Sequence, residues 1–285
     1  MTMAIEKPAV AAPWINNAGM VVIGAGIAAL LLAAIVLAAW LTGPDGLTSN
    51  FSARLQPPSW LHPFGTDMLG RDMLVRTVKG LALSFQVGIV AAGISVVIAT
   101  CLAVVAASGY RLADAIVSFL VDMTMGLPHL VLLILISFAL GGGTGAVIVA
   151  VAITHWPRLT RILRAEILQL QNAEYVTVSR NFGKSRWFIA RHHFLPHLVP
   201  QMIVGFVLLF PHAILHEAGL TFLGFGIEPS KPAIGILLSE SMRSLTAGNW
   251  WLGLFPGLML LVAVLCFDFV GNGLRTLTDP RGSQQ

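Results

Sequence analysis

The chain has 285 residues and a net charge of +4, with 17 Lys/Arg and 13 Asp/Glu. It is 56% hydrophobic and 11% charged, with a mean hydropathy of +0.82, whereas a soluble domain carries about 25% charged residues. That surplus excludes a water-soluble fold and predicts an all-α polytopic membrane protein. A sequence pI near 9.5 is a nucleic-acid signal in a soluble protein, but here the basic residues sit in loops, where they set topology, and no nucleic-acid partner is expected.

Residues 1–17 are a polar, Pro-containing lead. Ala18 to Leu41 is an uncharged run of 24 residues, longer than the roughly 7–15 apolar residues of a secretory signal, and predicts a retained first span. The loop 42–80 is rich in Pro, Gly and Asp and carries four basic and three acidic residues. Helix two is expected over 81–108, with GYRLAD (109–114) a tight inner turn. Helix three is expected over 115–140, broken in register by Pro128. GGGTG (141–145) is an outer turn, since tandem glycines do not hold a helix interior. Helix four begins near Ala146 and runs past Pro157 into a basic segment. Helix five covers 197–223, a second outer loop 224–250, and helix six 251–274. Pro128, Pro157, Pro211 and Pro256 are each expected to interrupt a helix. Cys101 and Cys266 lie in apolar runs without metal spacing and read as packing residues.

Arg158 to Pro196 holds seven of the seventeen Lys/Arg residues. The segment 158–191 carries seven basic and two acidic residues, the loop 224–250 two of each. Positive charge resists translocation, so the basic segment is cytoplasmic, and six spans put both termini with it. One domain, 18–280, follows the lead. A charged segment of this length does not lie in hydrocarbon. From its residues alone it is equally a helical knob facing a cytoplasmic partner or a basic amphipathic stretch on anionic lipid.

Three stretches occur in order: FGTDMLGRDMLVR (Phe64–Arg76), TVSRNFGKSRWFIARHHFLP (Thr177–Pro196) and HEAGLTFLGFGIEP (His216–Pro229). Together they resemble the membrane subunits of bacterial ABC importers for dipeptides, oligopeptides, nickel and metal–opine chelates, specifically the C-type permease of the pair, of the type I fold. The resemblance implies an inner-membrane protein paired with a homologous B-type permease, two ATPase subunits and an extracytoplasmic substrate-binding protein. It implies no cofactor on this chain, with ATP and Mg used by the ATPase partners.

The second stretch is similar to the family's EAA loop: Glu-Ala-Ala, three residues, Gly, nine residues, Ile, any residue, Leu-Pro. Thr177, Val178 and Ser179 stand in place of Glu-Ala-Ala, and His193 in place of Ile. Gly183, Leu195 and Pro196 keep their places. The resemblance makes the loop, about 166–196, a coupling helix docked on an ATPase. Tyr175, Val176, Phe182 and Trp187 are its apolar anchors, beside Arg180 and Lys184. Gly183-Lys184-Ser185 mimics the end of a phosphate-binding loop, but the required first Gly is Val178, so no ATP hydrolysis is expected here.

In the first stretch Asp67, Arg71 and Asp72 either fix the loop onto helix two or help dock the binding protein. In the third, His212 and His216 are four apart and share a helix face, and Glu217 follows. Ionisable residues inside a membrane face a cavity or a partner. Direct metal contact, a polar pathway lining and packing all remain open for them, and His155 joins them only if the fold brings the helices together. The two histidines resemble the nickel and metal-chelate branch more than the dipeptide branch, so the substrate expectation leans to metal or metal–chelate, with short peptides as the alternative. An ion-driven secondary transporter and an intramembrane enzyme are the other classes. The latter lacks its second zinc-protease His, since residue 220 is Leu.

Overall fold

A span in hydrocarbon has no water for its peptide groups, so it closes its own backbone bonds as a helix. The computed structural model describes residues 17–43 and 45–278, and among these the only β pairing is one isolated bridge, Thr66–Asp72. The helices are α1 (Asn17–Leu41), α2 (Met73–Ala106), α3 (Arg111–Gly126), α4 (His129–Ala139), α5 (Gly143–Leu170), α6 (Glu174–Asn181), α7 (Arg186–Ile189), α8 (Leu195–Phe222), α9 (Ile234–Leu245) and α10 (Trp251–Thr278). Five segments are long and apolar enough to span, and α3 with α4 makes a sixth as a pair bent by 98°. The lead 1–16 lies outside the described residues.

Three expectations are corrected. First, α2 starts at Met73 rather than near 81. Asp72 caps it, accepting from the amides of Leu74 and Val75 at 2.8 and 3.1 Å, and an N-cap fixes where a helix begins. Arg76 and Lys79 therefore belong to α2, and Lys79 Nζ donates to the carbonyls of Ala39 and Thr42 at the end of α1.

Second, only Pro128 breaks a helix. The residue before a proline avoids the helical region, and Leu127 is extended (φ −91°, ψ 145°). Pro157, Pro211 and Pro256 lie inside continuous helices. At Pro157 the missing N–H orphans the carbonyl of Ile153, and the indole Nε1 of Trp156 donates to it at 2.9 Å.

Third, the loop 224–250 contains α9, whose Ile234, Leu237, Ser241 and Ser244 are buried. That spacing is one helix face.

α2 and α8 contribute to all three buried apolar clusters and form the centre of the bundle. Ala91, Ala99 and Ala103 of α2 and Ala150 of α5 are fully buried, and Ser95 Oγ donates to the carbonyl of Ala152 at 2.6 Å. Small residues let membrane helices approach closely. α10 begins beside the α1–α2 loop, where Trp251 Nε1 donates to the carbonyl of Thr66. Its far half lies against the first turns of α1, where Gly273 meets Val21 and Ala25. Both described chain ends therefore emerge opposite that loop.

Candidate functional site

The basic segment forms that opposite end. As α5 leaves the bundle, Arg164 makes a two-pronged pair with Asp114, each bond 2.6 Å, and Arg161 pairs with Asp122. Gln171 donates to the carbonyl of Ala107, and Arg186 Nη1 to that of Ser108 at 2.9 Å while its guanidinium lies 4.5 Å over Tyr110. The turn 107–110 is thus at the same end.

α6 and α7 form a small helical knob. Gly183 (φ +74°) closes α6, with the amides of Gly183 and Lys184 donating to the carbonyls of Arg180 and Ser179. A Cβ there would meet nothing within 4 Å, so glycine serves the left-handed backbone and not a tight space. Ser185 caps α7, its Oγ accepting from the amide of Phe188 at 3.1 Å. Residues Ala190–Phe194 widen into a π-turn, and Leu195 and Pro196 open α8, where a missing N–H costs nothing.

Tyr175, Phe182 and Trp187 are 47%, 80% and 72% exposed, and Arg180 and Lys184 are exposed beside them. Val176 is a correction: it is fully buried in the chain's own core with Leu163, Ile167 and Ile189, and is unavailable to a partner. Two departures from the EAA wording meet each other. Ser179 Oγ lies 2.8 Å from His193 Nε2, and the His193 ring packs against Tyr175, tilted by 59° with centroids 5.5 Å apart.

At the other end the α1–α2 loop pins itself. Asp67 accepts from the amides of Leu69 and Arg71, from Arg71 Nε at 2.6 Å and from Arg76 Nη1 at 2.6 Å. Arg76, 3% exposed, also reaches Glu240 of α9 at 2.9 Å. Asp72 holds His62 Nδ1 at 2.7 Å besides capping α2. Arg54, Arg71, Glu240 and Arg243 line a cavity of about 350 Å³ on this face. In the loop after α8, Glu228 accepts from Thr144 Oγ1 at 2.8 Å and lies 3.1 Å from Lys231 Nζ. Its own backbone amide first, then the Thr144 hydroxyl and Lys231, pull its carboxyl down to about 2.

Within the bundle the polar residues sort differently from the sequence expectation. Glu217, placed as a pathway candidate, is fully buried in the chain's own core beside Ser84. Its Oε1 accepts from Thr221 Oγ1 at 2.9 Å, and Thr221 Oγ1 accepts from the amide of Ile227 at 3.1 Å. This carboxyl ties the loop after α8 rather than lining a path. His212 and His216 differ in what they touch. His212 is exposed and donates from Nδ1 to the carbonyl of Leu208.

His216 instead meets His155 of α5 and His129 of α4. The three ring centroids are 4.6, 4.6 and 4.9 Å apart. His129 follows Pro128 at the elbow of the broken span, far in sequence from the other two. Its only sequence signal is an ionisable group in an apolar run.

Residues 99–283 match the family described as "Binding-protein-dependent transport system inner membrane component". The chain is 35% identical over 259 residues to the "Putative peptide transport system permease protein" of Brucella suis, covering 91% of this chain and 87% of that one. It is 34% identical over 246 residues to the dipeptide transport system permease protein DppC of Bacillus subtilis, covering 86% and 77%. These are permeases and not enzymes. With its bundle of apolar helices, the chain is a multi-pass protein of the inner membrane and belongs to the family of binding-protein-dependent transport system inner membrane components.

Proposed function

We propose that this chain is one of two permeases through which an ATP-driven importer carries short peptides inward, with the α6–α7 knob and both termini in the cytoplasm. The observation that carries the coupling role is the exposure of Phe182 and Trp187 on a glycine-closed helix pair at the basic end. Large apolar side chains beside Arg180 and Lys184 are poor lipid-free surface and good anchors for a protein groove. A B-type permease completes the path, and two ATPase subunits, using ATP and Mg, dock on the two knobs. Their closure shifts the permeases between inward and outward access, to the extent that they bind the two states differently. The arginine-lined cavity beside Glu240 supplies a charged face for a binding protein at the other end.

The peptide substrate rests on the names of the relatives. The expectation of nickel or metal–opine chelates rests on the likeness of His212 and His216 to that branch, whereas the relatives found are named as peptide and dipeptide permeases. In cells lacking this chain, the full-length chain restores uptake of a labelled dipeptide. A Gly183→Val variant forces a β-branched residue into a left-handed backbone at a cost of about 1–2 kcal/mol. It abolishes uptake while the ATPase subunits still co-purify. Dipeptide uptake by liposomes holding the chain without ATPases overturns the coupled reading, and restoration of labelled nickel uptake alone overturns the peptide assignment.

A further inference from the structure

Three imidazoles from three separate helices converge inside the bundle, and neither the fold nor the coupling knob requires them. We infer that His129, His155 and His216 form a binding site for a divalent late first-row transition ion, of the zinc, cobalt or nickel class, with one coordination position left open. This goes beyond the importer reading and does not rest on it.

One nitrogen from each ring lies within 4.8 Å of the other two. A tetrahedral ion with metal–nitrogen bonds near 2.0–2.1 Å needs nitrogens about 3.3 Å apart, a closure that small side-chain rotations supply. The ring planes cross at 82°, 72° and 74°, so the three rings stand edge to face around a common centre.

Two of the rings are already oriented. His155 Nδ1 lies 2.8 Å from the carbonyl of Val151, and His216 Nδ1 lies 2.7 Å from that of His212. A carbonyl that takes the proton on one ring nitrogen leaves the lone pair of the other for a metal, as the outer partners of metal-bound imidazoles do. In the ion-free cluster the His155 Nε2 lone pair faces His216 Nδ1 at 3.2 Å, a contact that a bound ion replaces. His129 Nε2 is buried without a hydrogen-bond partner, an arrangement that is unfavourable unless something binds there.

The donor set selects the ligand. An all-nitrogen set suits zinc, copper, nickel or cobalt and not magnesium or calcium. No carboxylate belongs to the cluster, so the site leaves a bound ion's charge uncompensated inside the membrane. The open position therefore favours an anionic donor such as hydroxide or a carboxylate. Two sources share this chemistry: a bare ion that resides in the permease, or an ion already chelated by an amino-carboxylate such as a short peptide. Because His129 opens α4 at the 98° elbow, a bound ion ties that elbow to α5 and α8.

The test uses the assembled transporter in lipid nanodiscs, purified through a non-histidine tag on this chain, with Co²⁺ as the probe near neutral pH. The proposal predicts visible tetrahedral Co²⁺ bands that Zn²⁺ displaces. Affinity falls at least about 10-fold in His129→Ala, His155→Ala and His216→Ala, and stays unchanged in His212→Ala. His155→Gln, which retains volume, also loses the bands and loses the protection against thermal unfolding that Co²⁺ gives the parent. Bands with bare Co²⁺ identify a resident ion, and bands only with a cobalt–glycylglycine chelate identify an ion arriving with cargo. No bands in a transporter that still takes up dipeptide, bands that survive His155→Gln, or equal loss in His212→Ala overturn the site and leave the importer reading intact.

Discussion

The α1–α2 loop and the α6–α7 knob have similar raw material, a few charges, one or two left-handed glycines and several large apolar side chains, and they dispose of it oppositely. In the loop, Asp67 alone satisfies two backbone amides and two arginines, and Arg76 carries the network on to Glu240 of α9. In the knob, the backbone is capped and closed, yet Phe182 and Trp187 stand in solvent and Arg180 has no ion-pair partner among the described residues. A segment that satisfies its charges internally is scaffold. One that orders its backbone but leaves its apolar groups uncovered is shaped for something outside the chain.

Breaking the scaffold side gives the largest effect. Asp67→Ala leaves the buried Arg76 with only the half-exposed Glu240 as partner and frees two backbone amides and Arg71, so the cost approaches the roughly 3–5 kcal/mol of breaking a buried pair. The expected outcome is a large fall in the thermal unfolding midpoint and poor assembly. On the knob the comparison predicts the reverse division. Phe182→Ala with Trp187→Ala changes the chain's own stability by no more than about 0.5 kcal/mol but weakens ATPase association by about 2 kcal/mol or more. Unfolding curves and pull-down affinities of the same variants separate the two.

A smaller effect sharpens the picture of the knob's interior. Ser179→Ala and His193→Ile, singly and together, form a double-mutant cycle. The Ser179–His193 contact predicts a coupling of about 1 kcal/mol, read as non-additive shifts in unfolding. The smallest effect is electrostatic and lies in the loop after α8. Glu228 is held down to about 2 from an ordinary 4.5, so its contribution is full above the ordinary value and fades as pH falls from 4.5 towards about 2. The carboxylate is 45% exposed, so solvent screening keeps the contribution below about 1 kcal/mol. The stability gap between the parent and Glu228→Gln closes over that window.

Much of this was legible in the sequence because apolar run length measures a span directly. What escaped did so for identifiable reasons. Charge in a sequence reads as loop, which hides α9 and the first turns of α2, although Asp67 and Glu240 pair Arg76 and so allow its burial. Tyr175 and Val176 are adjacent and cannot share a helix face, so their opposite fates were available from spacing. The meeting of Ser179 with His193, and of His129 with His155 and His216, depends on which helices neighbour which, and no local pattern encodes that.

The indole of Trp156 bonded across Pro157 has a mechanical consequence. With the orphaned carbonyl satisfied, α5 stays one continuous helix of 28 residues, about 42 Å at 1.5 Å per residue. A displacement imposed at Leu170 is therefore carried to Gly143 and Thr144 along one unbroken helix, with no free carbonyl at the proline to start a break.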